Sequence, residues 1–128
     1  MELMDCDLTS LIETYHKRYS ENVVKCILWQ VLKGIEVLHE RNIIHRDIKS
    51  DNVLVSKTGE VKLSDFGFSC QLEQKKPRRT SVVGTVCWMA PELVKSSSSG
   101  YDAAIDIWSF GILAVELAEG YPPKITAG

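Results

Sequence analysis

Apolar positions recur at helical spacing over residues 22–40, where Val23, Ile27, Val31, Ile35 and Leu38 share one stripe. Val24, Leu28 and Leu32 widen that stripe, so the pattern predicts a helix buried on much of its circumference. Residues 8–15 predict a shorter helix capped by Thr9 or Ser10, with Ser10 and Glu13 at capping-box spacing. A third helix is predicted over residues 102–119. It is apolar nearly all round, which places it inside a core, and Gly120 with Pro122-Pro123 just beyond stops it.

Elsewhere the period changes. Short runs at 42–44, 52–55 and 60–63 read as strands, the last two joined by Ser56-Lys57-Thr58-Gly59 as a hairpin. Residues 65–92 lose periodicity, and a stretch of that length without elements is functional or disordered. Residues 96–100, SSSSG, form a flexible low-complexity turn. No internal repeat is present.

Composition changes this picture little. The chain has 128 residues, 45% of them hydrophobic and 25% charged, which suits one domain with a real core. A net charge of −2 gives no support for nucleic-acid binding or for an anionic membrane surface. The most apolar stretch, 105–118, is interrupted by Asp106 and Glu116 and is too short to span a bilayer core of about 30 Å. No pair among Cys6, Cys26, Cys70 and Cys87 has C-x-x-C spacing, and the opening MELMDCDLT carries acids where a secretory signal carries bases. Reduced thiols in a cytosolic or nuclear protein are expected, with cytoplasmic as the leading assignment.

Candidate chemistry concentrates in IIHRDIKSDNVLV, residues 43–55, where charged and amide side chains crowd between two β-branched runs. On such a loop Asp47 would accept a proton from an attacking hydroxyl. Lys49 would neutralise charge on a transferring phosphoryl group. Asn52 and a second acid would share a hard cation, because magnesium prefers oxygen ligands. Asp65, directly after the third predicted strand, is that acid, and the hairpin brings it toward Asn52. Positioning and electrostatic stabilisation are what phosphoryl transfer chiefly needs.

HRDIKSDN at 45–52, DFG at 65–67 and APE at 90–92 together resemble the catalytic loop, metal-binding motif and activation-segment end of protein kinases, in order and spacing. Lys49 and Thr85 resemble the serine/threonine class. DFGFS with VVGTVCWMAPEL resembles the STE group, most closely the Ste20/p21-activated subgroup. Val86 and Cys87 depart from the Pro-Tyr pair usual there, and Val86 also occurs in MAP kinase kinase kinases.

The resemblance implies an α+β fold, the mainly α-helical large lobe of a kinase with a small antiparallel hairpin region, spanning residues 1–128 from hinge to central helix. Residues 65–92 would be the activation segment. It implies Asp47 as catalytic base, Lys49 as phosphate stabiliser, and Asn52 and Asp65 as magnesium ligands, with ATP as phosphoryl donor. Backbone groups of Glu2 and Met4 would meet adenine, Leu54 would pack beneath it, and Asp5 or Asp7 would reach the ribose. Arg46 would hold a phosphate on the activation loop, placed on Ser81 or Thr80 or both. Thr85 would sit in the substrate loop near Asp47, and Asp106 would anchor the catalytic-loop backbone. His45, Phe66 and Glu92 would be structural, the last in an ion pair with a partner beyond residue 128. His16 and His39 read as ordinary surface or helix-end residues, and KKPRRTS is on composition alone a solvated loop. Partners would be proteins bearing Ser or Thr, with an upstream kinase or small GTPase acting through other regions.

The family's G-x-G-x-x-G loop and V-A-I-K strand have no counterpart here; Lys62, in VKLSDFG, belongs to the strand before DFG. Both ends therefore look cut, and the chain by itself is expected to be a poor enzyme or none, with apolar surface exposed on its last helix. The alternative to a piece of an active serine/threonine kinase is a truncated form that binds kinase partners or substrates without catalysis.

Overall fold

The computed structural model describes residues 6–15, 19–72, 84–95 and 100–123. Its longest element, α2 (Glu21–Glu40), starts at Ser20, whose hydroxyl accepts the Val23 N–H at 3.4 Å. Ile27, Val31 and Ile35, four residues apart, are its buried positions. The widened stripe predicted for it is only partly covered, since Val23 and Leu32 remain exposed.

Helix α1 (Leu8–Tyr15) is capped differently from the expectation. Asp7 caps it, its carboxylate accepting the Ser10 N–H at 2.7 Å, while the Thr9 hydroxyl turns away to Ser50 and Asp51. An ionised acid one residue ahead of the helix outcompetes a neutral hydroxyl for an orphan N–H.

Two small antiparallel sheets complete the frame. One has the order β1 (Cys6–Asp7), β3 (Val53–Val55), β4 (Val61–Leu63), with Val53 opposite Leu63. The other pairs β2 (Ile43–Ile44) with β5 (Cys70–Gln71). β1 and β5 are two residues each, too short to leave a period-2 signal. The stretch expected to lack elements also carries 3-10 turns at Phe66–Phe68 and Val86–Trp88 and the short helix α3 (Pro91–Val94). The basic cluster 75–79, Thr80 and Ser81 lie outside the described residues, as do residues 1–5 and His16.

Helix α4 (Ala104–Glu119) starts two residues later than predicted, because Asp102 accepts the Ala104 N–H from outside the helix. Gly120 ends it at φ 91°, a conformation that favours glycine. Ile105, Leu113 and Leu117 are buried, but Ile107 and Trp108 are nearly half exposed. The helix has one covered side rather than a fully buried circumference. One apolar cluster joins Leu8, Ile27, Val31, Ile35, Ile48, Val53, Val61, Leu113 and Leu117; the other joins Ile44, Ala90, Leu93, Tyr101 and Ile105. Ile44 sits in the second, Ile48 and Val53 in the first. The polar loop between them is thus pinned at three fully buried side chains.

Candidate functional site

Asp106, in the first turn of α4, organises that loop from beneath. Its buried carboxylate accepts the backbone N–H of His45 at 2.9 Å and of Arg46 at 3.0 Å, and meets His39 Nε2 at 2.9 Å. Arg46 has a left-handed backbone, φ 70°. Such a conformation costs on the order of 1–3 kcal/mol in a non-glycine residue and persists where surrounding bonds hold it, as the Asp106 bonds do here. His39 is therefore not an ordinary helix-end residue; it is part of this anchor.

His45 is fully buried and spends both ring nitrogens. Nδ1 accepts the Asp47 N–H at 3.1 Å, so the ring proton sits on Nε2, which donates to the Ser64 carbonyl at 2.8 Å. Phe66 meets it edge-on, ring centres 5.2 Å apart, while remaining about half exposed.

Asp47 is then held at both oxygens. Oδ2 accepts from the Asn52 amide at 3.0 Å, and Oδ1 accepts from the Thr85 hydroxyl at 3.0 Å. Lys49 Nζ donates to Thr85 Oγ1 at 2.7 Å, which brings a cation within one hydroxyl of Asp47. Asn52 also donates to the Asp47 carbonyl at 2.7 Å. With its amide nitrogen so engaged, Asn52 keeps its amide oxygen as a potential oxygen donor. The Ser64 N–H donates to the Asn52 carbonyl at 2.8 Å, extending the β3–β4 pairing and setting Asp65 one residue from that contact. Asp65 is exposed with φ 55°, and its carboxylate accepts the Gly67 N–H at 3.2 Å. An amide oxygen and a carboxylate at one end of a hairpin suit a hard divalent cation.

Arg46 donates from Nε to the Phe68 carbonyl and from a terminal nitrogen to the Tyr101 hydroxyl at 3.0 Å. Leu54 is half-buried on β3, and Glu92 is exposed in the first turn of α3. Glu2, Met4, Asp5, Thr80 and Ser81 lie outside the described residues, whereas Asp7 is engaged as the α1 cap.

Two contacts had no role in the sequence reading. The Trp88 indole donates to Glu116 Oε2 at 3.0 Å, and the Ser109 hydroxyl donates to the Trp88 carbonyl at 2.6 Å. Burial pushes the Glu116 carboxyl above its ordinary range, against the opposing pull of the Trp88 indole bond. An acid inside an apolar helix was the available signal; its partners, far away in sequence, had none.

The protein kinase domain family matches residues 1–126. The serine/threonine-protein kinase pakA of Dictyostelium discoideum is 47% identical over 119 residues, covering 92% of this chain and 10% of its own length. CLA4 of Candida albicans, also a serine/threonine-protein kinase, is 47% identical over 118 residues, covering 92% and 12%. Serine/threonine-protein kinase PAK 4 of Homo sapiens is 48% identical over 108 residues, covering 84% and 18%. The chain thus spans between about a tenth and a fifth of the length of these relatives, all of the Ste20/PAK type.

Proposed function

This chain belongs to the protein kinase family, and we propose that it carries the catalytic loop of a serine/threonine kinase, which moves the ATP γ-phosphoryl group to a protein Ser or Thr hydroxyl. The observation that carries the reading is the cluster of Asp47, Lys49, Asn52 and Thr85, locked by direct side-chain bonds in a loop anchored on Asp106. Asp47 orients the incoming hydroxyl and takes its proton at Oδ1, where the Thr85 hydroxyl now sits. Lys49 sets positive charge beside that oxygen, and Asn52 prevents the carboxylate from rotating. Magnesium-bound ATP, which protein kinases generally use, would supply the phosphoryl group, and Asn52 and Asp65 would hold the metal.

The same proposal takes residues 1–128 as part of the helical large lobe, from hinge to central helix, with 65–92 as activation segment. Glu2, Met4 and Leu54 would bind adenine, and Arg46 would hold a phosphate on Ser81 or Thr80. Partners would be protein substrates, an upstream kinase or a small GTPase. The four cysteines are free, in keeping with a cytoplasmic place. No helix among the described residues is long and apolar enough to cross a membrane.

The test is transfer of labelled phosphate from ATP to a Ser/Thr peptide by the gene product that contains these residues. Asp47→Asn should lower the rate by roughly 10²–10⁴-fold, the range expected on loss of a general base. An active protein whose Asp47→Asn variant keeps its rate would overturn the assignment.

A further inference from the structure

We propose that Ser109, on α4, is a positioning residue for the segment 85–88, and through it for the Thr85 hydroxyl at Asp47. The role rests on the reading of Asp47 given above. Residues 86–88 form a 3-10 turn, in which the Trp88 N–H donates to the Thr85 carbonyl at 3.0 Å and the Met89 N–H to the Val86 carbonyl at 3.2 Å. Continuing that turn cannot serve the Trp88 carbonyl. The residue three places on is Pro91, which has no N–H. Ser109 supplies the missing donor, its hydroxyl reaching the Trp88 carbonyl at 2.6 Å. Glu116 lies on the same side of α4, two turns further along, and accepts from the Trp88 indole at 3.0 Å. Both α4 residues are buried.

One face of α4 thus grips Trp88 by its main chain and by its ring, and the two grips fix different things. The indole bond lies at the end of a side chain with its own torsions, so it fixes the ring. The carbonyl bond acts on the backbone of the turn, which is tied directly to Thr85. Thr85 in turn donates to Asp47 Oδ1 at 3.0 Å, the oxygen at which an incoming hydroxyl would dock, and accepts from Lys49 Nζ at 2.7 Å. Removing the Ser109 hydroxyl leaves the Trp88 carbonyl unpaired, and the turn must shift toward another donor or water. The consequence falls on the peptide side of the site. Asn52 and Asp65, read as the metal ligands, make their hydrogen bonds to Asp47, Ser64 and Gly67 rather than to the turn, which spares the nucleotide side.

Two measurements test this on the gene product that contains these residues, comparing wild type with Ser109→Ala. The first is amide hydrogen exchange read by mass spectrometry. Residues 84–90 should exchange faster in the variant, while α2 keeps the wild-type rate and reports an intact fold. The second is phosphorylation of a Ser/Thr peptide. Its KM should rise roughly tenfold, the size expected when one acceptor loses its donor, with the KM for ATP unchanged. A side chain that only packed α4 would not separate the two KM values. Should the alanine variant not fold, Ser109→Cys keeps the volume with a weaker donor and carries the same expectation. Wild-type exchange across 84–90 overturns the proposal, as does a peptide KM that stays in place or rises only together with that for ATP. Because exchange does not depend on phosphotransfer, a protein without activity would sink the kinase reading alone, and exchange would then decide for or against the Ser109 anchor.

Discussion

At the scale of single residues, Asp106 shows how much depends on one buried carboxylate. It satisfies two backbone N–H groups that no sheet or helix serves, and in doing so holds Arg46 in its left-handed backbone. Asp106→Ala leaves both donors unpaired, and each such group costs about 1–3 kcal/mol. Chemical denaturation should show a loss of roughly 2–5 kcal/mol, or outright failure to fold. Glu116 presents the opposite case. Burial raises its carboxyl above the ordinary 4.5, so the folded chain binds a proton more tightly than the unfolded one. Its contribution is full below 4.5 and is lost as pH rises through the raised value. Glu116→Gln, neutral throughout, should lack that loss. The difference between the two denaturation curves, measured across this window, should grow with pH in favour of the variant; a flat difference would remove the argument.

At the scale of elements, the loop and the segment 84–90 meet through backbone as well as side chains. A Cβ on Gly84 would lie 2.6 Å from the Arg46 carbonyl oxygen, and Gly84 has φ 114°, where L-residues are strained. Gly84→Ala should therefore push Thr85 away from Asp47 and cost about 1–3 kcal/mol. Thermal denaturation together with the Thr85 amide shift would check this, since both should change. The long elements were legible from the sequence because many residues repeat the same period: α2 and α4 were found within two residues of their ends. The strands β1 and β5 were not, since each is two residues long and, unlike the Ile43-Ile44 pair of β2, contains no β-branched residue. The α1 cap was assigned to Thr9 or Ser10 and belongs to Asp7, because local capping preference does not foresee that Thr9 is drawn to Ser50 and Asp51.

At the scale of the whole molecule, the chain shows more apolar surface than its two clusters cover. Trp29 is 62% exposed, and Ile107, Trp108 and Val115 line the open side of α4. Such faces promote association. Sedimentation of the 128-residue chain should show mass rising with concentration, and Ile107→Lys with Trp108→Lys should suppress it. A wild-type chain that stays monomeric at high concentration would show that this face is not adhesive.

The amino-acid order by itself determined the long helices, the β3–β4 hairpin and the residues gathered at 45–52 and 65–67, because periodicity, turn chemistry and motif spacing are short-range properties. Tertiary structure decided which side of α4 is covered and how the polar groups are partnered. His39 with Asp106, Trp88 with Glu116, and Thr9 with Ser50 are pairs 67, 28 and 41 residues apart. No local pattern joins residues at such distances; they meet because apolar packing on either side of the loop leaves these polar groups facing one another, where each must find a partner.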